Sequence, residues 1–240
     1  MKKILSHLTL SLAAMIFLGL TAGSAYADGI VFLQNNNLHP DGVGLRTVLS
    51  IQSPGKTSTE SGGVKYTASG DEIYGDATRG GTNNTVSLSE LGVTQDMTAL
   101  QIGFNINEPS GGPGSTPVIV QNIILRAYDT SGNVVFTASL IDGPHTLVKT
   151  GAGQGTADYM FTLDAEAAMR LANVFDPNLR IGLEATIYDA EGGPESFYLG
   201  LGPANAPIPE PATMFLLGTG LAGVAAKVRK RRNAAKAAKE

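Results

Sequence analysis

Leu179-Arg180-Ile181-Gly182-Leu183-Glu184-Ala185-Thr186-Ile187-Tyr188 alternates apolar and polar side chains with period two. Leu179, Ile181, Leu183, Ala185 and Ile187 fall on one face, with Arg180, Glu184, Thr186 and Tyr188 on the other. Successive side chains of a strand point to opposite sides of its sheet. This is therefore a strand with one face on a core and the other in water. Val43, Leu45, Thr47, Leu49 and Ile51 repeat the pattern. Working outward, further strands are predicted at 30–34, 64–69, 100–106, 118–128, 134–141, 159–163 and 196–201. Turn clusters separate them: Ser61-Gly62-Gly63, Arg79-Gly80-Gly81-Thr82-Asn83-Asn84, Ser110-Gly111-Gly112-Pro113-Gly114 and Gly151-Ala152-Gly153-Gln154-Gly155. Short strands joined by Gly-rich turns predict an all-β fold, a β-sandwich, with a jelly roll as one form of it. One short helix interrupts the strands. Asp164 caps it and Glu166 sits in its first turn. Ala168, Met169, Ala172 and Phe175 share one face, and Asp176-Pro177 ends it.

The composition agrees with that class. The chain has 240 residues, with 30 Gly, 12 Pro, no Cys and no Trp. Without cysteine there is no disulfide framework, no thiolate metal site and no cysteine nucleophile. The domain must hold on its core alone. The formal net charge of −4 conceals an asymmetry. Between Asp28 and Ala206 lie 8 basic and 19 acidic residues, a net of −11. Such a domain is soluble and repelled by nucleic acid and anionic lipid, and it attracts cations such as calcium.

The basic residues sit at the two ends. Met1-Lys2-Lys3 precedes an apolar run over 8–20 and small residues ending in Ala25-Tyr26-Ala27. A charged start, a short apolar core and an Ala-x-Ala site make a secretory signal over 1–27, cut by signal peptidase after Ala27. Residues 28–203 form the β domain, and 204–240 form a tail. That tail reads Pro207-Ile208-Pro209-Glu210-Pro211, then an apolar stretch over 212–226, then Lys227-Val228-Arg229-Lys230-Arg231-Arg232. At 1.5 Å per residue, 15 helical residues span about 22 Å, short of a hydrocarbon core of about 30 Å. A marginal span suits a temporary stop in the membrane, its basic end held in the cytoplasm.

Pro209-Glu210-Pro211-Ala212-Thr213, the apolar run Met214-Phe215-Leu216-Leu217 and the Lys/Arg cluster together resemble a PEP-CTERM sorting signal. The resemblance covers the last thirty or so residues, and the motif's recognition residues fall on Pro209, Glu210 and Pro211. It implies an exported bacterial protein, transiently anchored in the inner membrane and processed by an exosortase. Delivery is then to the envelope, the cell surface or the extracellular space, with a link to exopolysaccharide and biofilm. Glu191-Gly192-Gly193-Pro194-Glu195-Ser196-Phe197-Tyr198-Leu199 resembles, more loosely, the end of other such cargo domains. That implies a β-rich domain of unassigned activity.

Chemistry is sparse. Gly218-Thr219-Gly220-Leu221-Ala222-Gly223 matches a nucleotide-binding spacing but lies in the apolar stretch, where small residues serve helix packing. His7 is in the signal, and His39 and His145 show no metal-ligand spacing. Acidic residues cluster as Asp71, Glu72 and Asp76, and as Asp189, Glu191 and Glu195. Asp129-Thr130-Ser131-Gly132-Asn133 begins like a calcium loop, lacks the later acid, and reads as a hairpin turn. The expected function is therefore a non-enzymatic structural or adhesive surface protein, with no catalytic residue, no metal ligand and no bound cofactor. The alternatives are a carbohydrate-binding module, with or without calcium, and a secreted hydrolase built on two carboxylates.

Overall fold

The structure is a computed structural model that describes residues 29–33, 45–54, 58–79, 82–108, 116–150 and 157–202. All of them lie in one unit spanning Asp28–Pro207. Its strands are β1 (Ile30–Leu33), β2 (Arg46–Ile51), β3 (Glu60–Thr67), β4 (Gly70–Gly75), β5 (Val86–Ser87) and β6 (Leu100–Asn105). They continue as β7 (Val118–Tyr128), β8 (Val134–Ser139), β9 (His145–Leu147), β10 (Tyr159–Leu163), β11 (Arg180–Tyr188) and β12 (Glu195–Leu201). The helix α1 spans Ala165–Asn173.

Two antiparallel sheets result. One runs β1-β10-β6-β12-β2 and the other β4-β3-β11-β7-β8, with β5 added beside β11 and β9 beside β7. In chain order, β2, β6, β10 and β12 build the first sheet, and β3, β7, β8 and β11 build the second. This order, β2-β12-β6-β10 facing β3-β11-β7-β8, is that of an eight-strand jelly roll, with β1 and β4 added at edges.

Hydrophobic residues from both sheets form one core, in which Phe104, Phe161 and Phe197 are the largest fully buried side chains. Phe104 and Phe197 are opposite each other in register, and their rings stack at 4.7 Å. The sequence pattern of β11 is realised. Ile181, Leu183, Ala185 and Ile187 are buried, while Glu184, Thr186 and Tyr188 face outward.

Several expectations need correction. In β2, Val48, Leu49, Ser50 and Ile51 are all buried, because this strand is covered on both faces, so strict alternation fails there. Ser61-Gly62-Gly63 is no turn but the middle of β3. Its glycines are there because other groups occupy the space of a side chain. A Cβ on Gly62 would come 2.6 Å from Ala77 N, and one on Gly63 would come 2.5 Å from Tyr74 Oη. The strands β4, β5 and β9 are additions to the prediction. In α1 the buried residues are Ala167, Ala168 and Leu171, while Met169 is 53% exposed. The Asp164 cap holds, accepting from Ala167 N at 2.8 Å. The predicted turns at 110–114 and 151–155, Val43 and His39 lie outside the described residues.

Candidate functional site

Exposure separates the two sheets. Strand β6 is buried along its whole length, and β10 nearly so. By contrast β7 and β11 alternate, so the outer face of the seven-stranded sheet is open. On that face lies a groove of about 420 Å³ lined by Lys65, Tyr66, Thr67, Tyr74, Arg126, Tyr128, Gly132, Val134 and Glu184.

The lining comes from five strands, and the backbone explains how large rings fit on a sheet. Tyr74 in β4 pairs with Gly63 in β3, and Gly63 pairs on its other side with Glu184 in β11. With no side chain on Gly63, the phenol reaches across β3, and its Oη donates to Glu184 Oε2 at 2.8 Å. Gly182 does the same for Tyr128, whose Cε2 would lie 3.1 Å from an added Cβ. Arg126 in β7 donates from Nη1 to the same Glu184 Oε2 at 2.7 Å. Arg180 lies over the Tyr66 ring at 5.2 Å, a cation–π contact. Lys65 pairs with Glu72 at 2.7 Å. One end is closed by the β7–β8 turn, where Gly132 takes φ +85° and Val134 is 51% exposed.

These contacts fix the protonation states. Burial, then the bond to Glu184, push the Tyr74 phenol up to about 12. Burial raises Tyr128. Burial works against the Arg126 charge, but the hydrogen bond and charge of Glu184 outweigh it and leave Arg126 above its ordinary value. The groove therefore presents the uncharged phenols of Tyr74 and Tyr128 at neutral pH, beside the ring of Tyr66 and the Arg126–Glu184 ion pair. Aromatic faces beside fixed donors and acceptors suit a ligand with apolar ring faces and many hydroxyls.

The sequence-selected residues lie elsewhere. Asp71 bonds Thr85 Oγ1 and stands 3.9 Å from Arg180. Asp76 accepts from Ser61 N at 2.8 Å. With Glu72 on Lys65, these three acids serve three different partners and do not converge. Asp189 adopts φ +62° in the loop before β12, and Glu195 is fully buried, away from a shared surface site with Glu191. His145 stacks on Phe32 at 4.6 Å, with Nε2 3.0 Å from Asp142 Oδ1. Asp129 spends its oxygens inside the hairpin, on Ser131 N, Asn133 N and Asn133 Nδ2. Among the described residues no three His, Cys, Asp or Glu side chains are placed to hold a metal ion.

Ala25 and Ala27 of the signal, Pro209, Glu210 and Pro211, and the apolar stretch over 212–226 lie outside the described residues. No described helix is long and apolar enough to cross a membrane. Residues 207–232 match the family model of the PEP-CTERM protein-sorting motif. The tail is a PEP-CTERM sorting signal. The match begins at Pro207, includes Pro209-Glu210-Pro211 and the apolar stretch, and ends at Arg232 with the basic cluster. A PEP-CTERM tail makes this an exported, exosortase-sorted protein that is anchored in the membrane before processing. No curated protein and no solved structure matches the chain.

The groove residues carry no local motif. Tyr66, Tyr74, Arg126, Tyr128 and Glu184 are scattered over more than a hundred positions. The one usable signal is a glycine inside a strand, at Gly63 and Gly182, which marks the close approach of another group.

Proposed function

We propose that this chain is a non-enzymatic adhesive protein of the cell surface or extracellular matrix that binds exopolysaccharide. The groove on the open sheet takes the glycan chain. The observation that carries the reading is the Tyr74–Glu184–Arg126 cluster flanked by Tyr66 and Tyr128. Tyrosine faces pack against the C–H faces of sugar rings, and the Arg–Glu pair meets their hydroxyls. The sorting tail supports the setting, since export puts the domain where such polymers are. The absence of tryptophan fits a shallow, moderate-affinity surface rather than a deep subsite.

The non-enzymatic part rests on the carboxylates. Glycoside hydrolysis by the common route uses two of them across the scissile bond, about 5–10 Å apart. The groove is lined by one, Glu184, and that one is bonded to Arg126 and Tyr74.

The test is binding of the full-length chain, in detergent, to exopolysaccharide from its own host, with calcium and with EDTA. Saturable binding that falls at least tenfold in Tyr74→Ala and Arg126→Ala is the expected result. Binding lost in EDTA makes the domain a calcium-dependent lectin-like module. No binding in either condition refutes the carbohydrate reading and leaves a structural or protein-contacting role.

A further inference from the structure

Away from the groove, three glutamates meet inside one end of the sandwich. Glu60 begins β3, Glu108 follows β6, and Glu195 begins β12. They are 2%, 2% and 0% exposed. Glu60 belongs to the seven-stranded sheet and Glu195 to the five-stranded one, so the two side chains face each other across the core, within hydrogen-bonding reach. Each neighbour has a backbone task. Glu60 Oε1 accepts from Ser53 N at 3.1 Å. Glu108 Oε1 accepts from Glu191 N at 2.9 Å and Gly192 N at 3.2 Å. Among the described residues Glu195 has none: both of its oxygens, and Oε2 of Glu60, are buried without a protein donor.

Among the described residues the surroundings offer no balancing charge. No ion pair among the described residues reaches any of the three. Lys149 approaches, but its Nζ donates to the backbone oxygen of Glu108 at 3.2 Å. Glu108, from the end of β6, and Asp76, from the end of β4, add negative field at Glu60, and Glu108 adds it at Glu195. Two adjacent carboxylates in a buried site cannot both ionise without a severe penalty. A proton placed between them removes one charge and supplies the donor that the orphaned oxygens lack.

We propose that Glu60 and Glu195 share one proton across the two sheets, and that this carboxyl–carboxylate bond is a pH-sensitive latch on the loop end of the domain. Losing the proton sets two negative groups against each other beneath the segments 52–54 and 189–194. Those are the segments that Glu60 and Glu108 hold by their backbone amides. The direction follows from the burial that raises both groups above the ordinary carboxyl value. A raised folded value means that the native state binds the proton more tightly than the unfolded chain. The stabilisation is complete in mild acid, below the unfolded value of 4.5, and is lost as pH rises through the folded value.

The test is the melting temperature of the full-length chain in detergent, followed by circular dichroism from about pH 5 to about pH 9, against Glu195→Gln. Glutamine keeps the shape, donates to Glu60 and does not titrate. The expected result is a melting temperature that falls with pH in the wild type by at least about 3 °C more than in the variant, with the variant the more stable at the alkaline end. Parallel profiles would overturn the latch. If Glu195→Gln does not fold, Glu60→Gln reads the same proton from the other sheet. A calcium arm completes the test. A rise in wild-type melting temperature on adding calcium at neutral pH, reversed by EDTA, would also overturn the proposal, because the pair would then hold a cation in place of a proton.

Discussion

Replacing Gly63 by alanine tests how the groove is built. The new Cβ would stand 2.5 Å from Tyr74 Oη, 2.6 Å from Tyr74 Cζ and 3.0 Å from Leu183 O, where ordinary contact is 3.4–4 Å. The backbone contact is tight but tolerable, so the end of the tyrosine ring yields. A displacement of about 1 Å takes the 2.8 Å bond to Glu184 beyond hydrogen-bonding range. A bond to a charged acceptor is worth about 1.5–3 kcal/mol, and screening on this half-open face reduces it to about 1–2 kcal/mol. Loss of glycine from the unfolded chain returns about 0.4–1 kcal/mol. The net cost is therefore about 1 kcal/mol, a fall of about 2–4 °C in melting temperature. The distinctive change is in titration. Burial and Glu184 hold the Tyr74 phenol near 12, and both causes weaken when the ring swings out, so its value returns toward 10. A raised folded value means stability lost as pH climbs from 10 to about 12, and the variant loses less over that window. The assay is ultraviolet difference titration of the tyrosines, with Tyr74→Phe identifying its step. If Gly63→Ala keeps the late-ionising tyrosine, then Gly63 is not what admits Tyr74 to Glu184, and this account of the groove is wrong.

Asp158→Ala should cost about 3–5 kcal/mol in urea denaturation, because this buried carboxylate accepts from Ile106 N, Asn105 Nδ2, Thr150 N and Thr150 Oγ1 and no other acceptor replaces it. Asp158→Asn, which keeps one oxygen, should cost less. Asp164→Ala should cost about 1–2 kcal/mol, since the side chain caps α1 through Ala167 N and also accepts from Gly29 N at 3.1 Å; an unchanged urea midpoint would refute its role as a tie between α1 and β1. Mass spectrometry of the native mature protein should find a peptide beginning at Asp28 and none from Arg229 onward; a secreted chain ending at Glu240 would refute tail processing.

What the sequence determined by itself is local. The period-two pattern of β11 reports one covered and one open face without reference to its partners. The limits of β7 and β10 coincide with the predicted ones because apolar runs bounded by turn residues define them. Asp164 and Asp129 make the cap and the hairpin that their neighbours within five residues require. The sorting tail is a linear signal, so Pro209, Glu210, Pro211 and the segments behind them carry it in order. Tertiary structure decided everything that depends on register between distant segments. Ser61-Gly62-Gly63 has turn composition, yet it lies in a strand, because Ala77 and Tyr74 need the room. Met169 has the spacing of a buried helical residue, but the face that meets the core is set by the sheets that α1 packs on. Tyr74 and Glu184 are 110 positions apart, and the strand order β4-β3-β11 brings them to 2.8 Å. Glu60 and Glu195 belong to different sheets and meet only when the two faces close on a common core. Side-chain periodicity records how each residue stands to its own backbone, and which residues oppose each other is fixed by pairing and packing, which no single segment encodes.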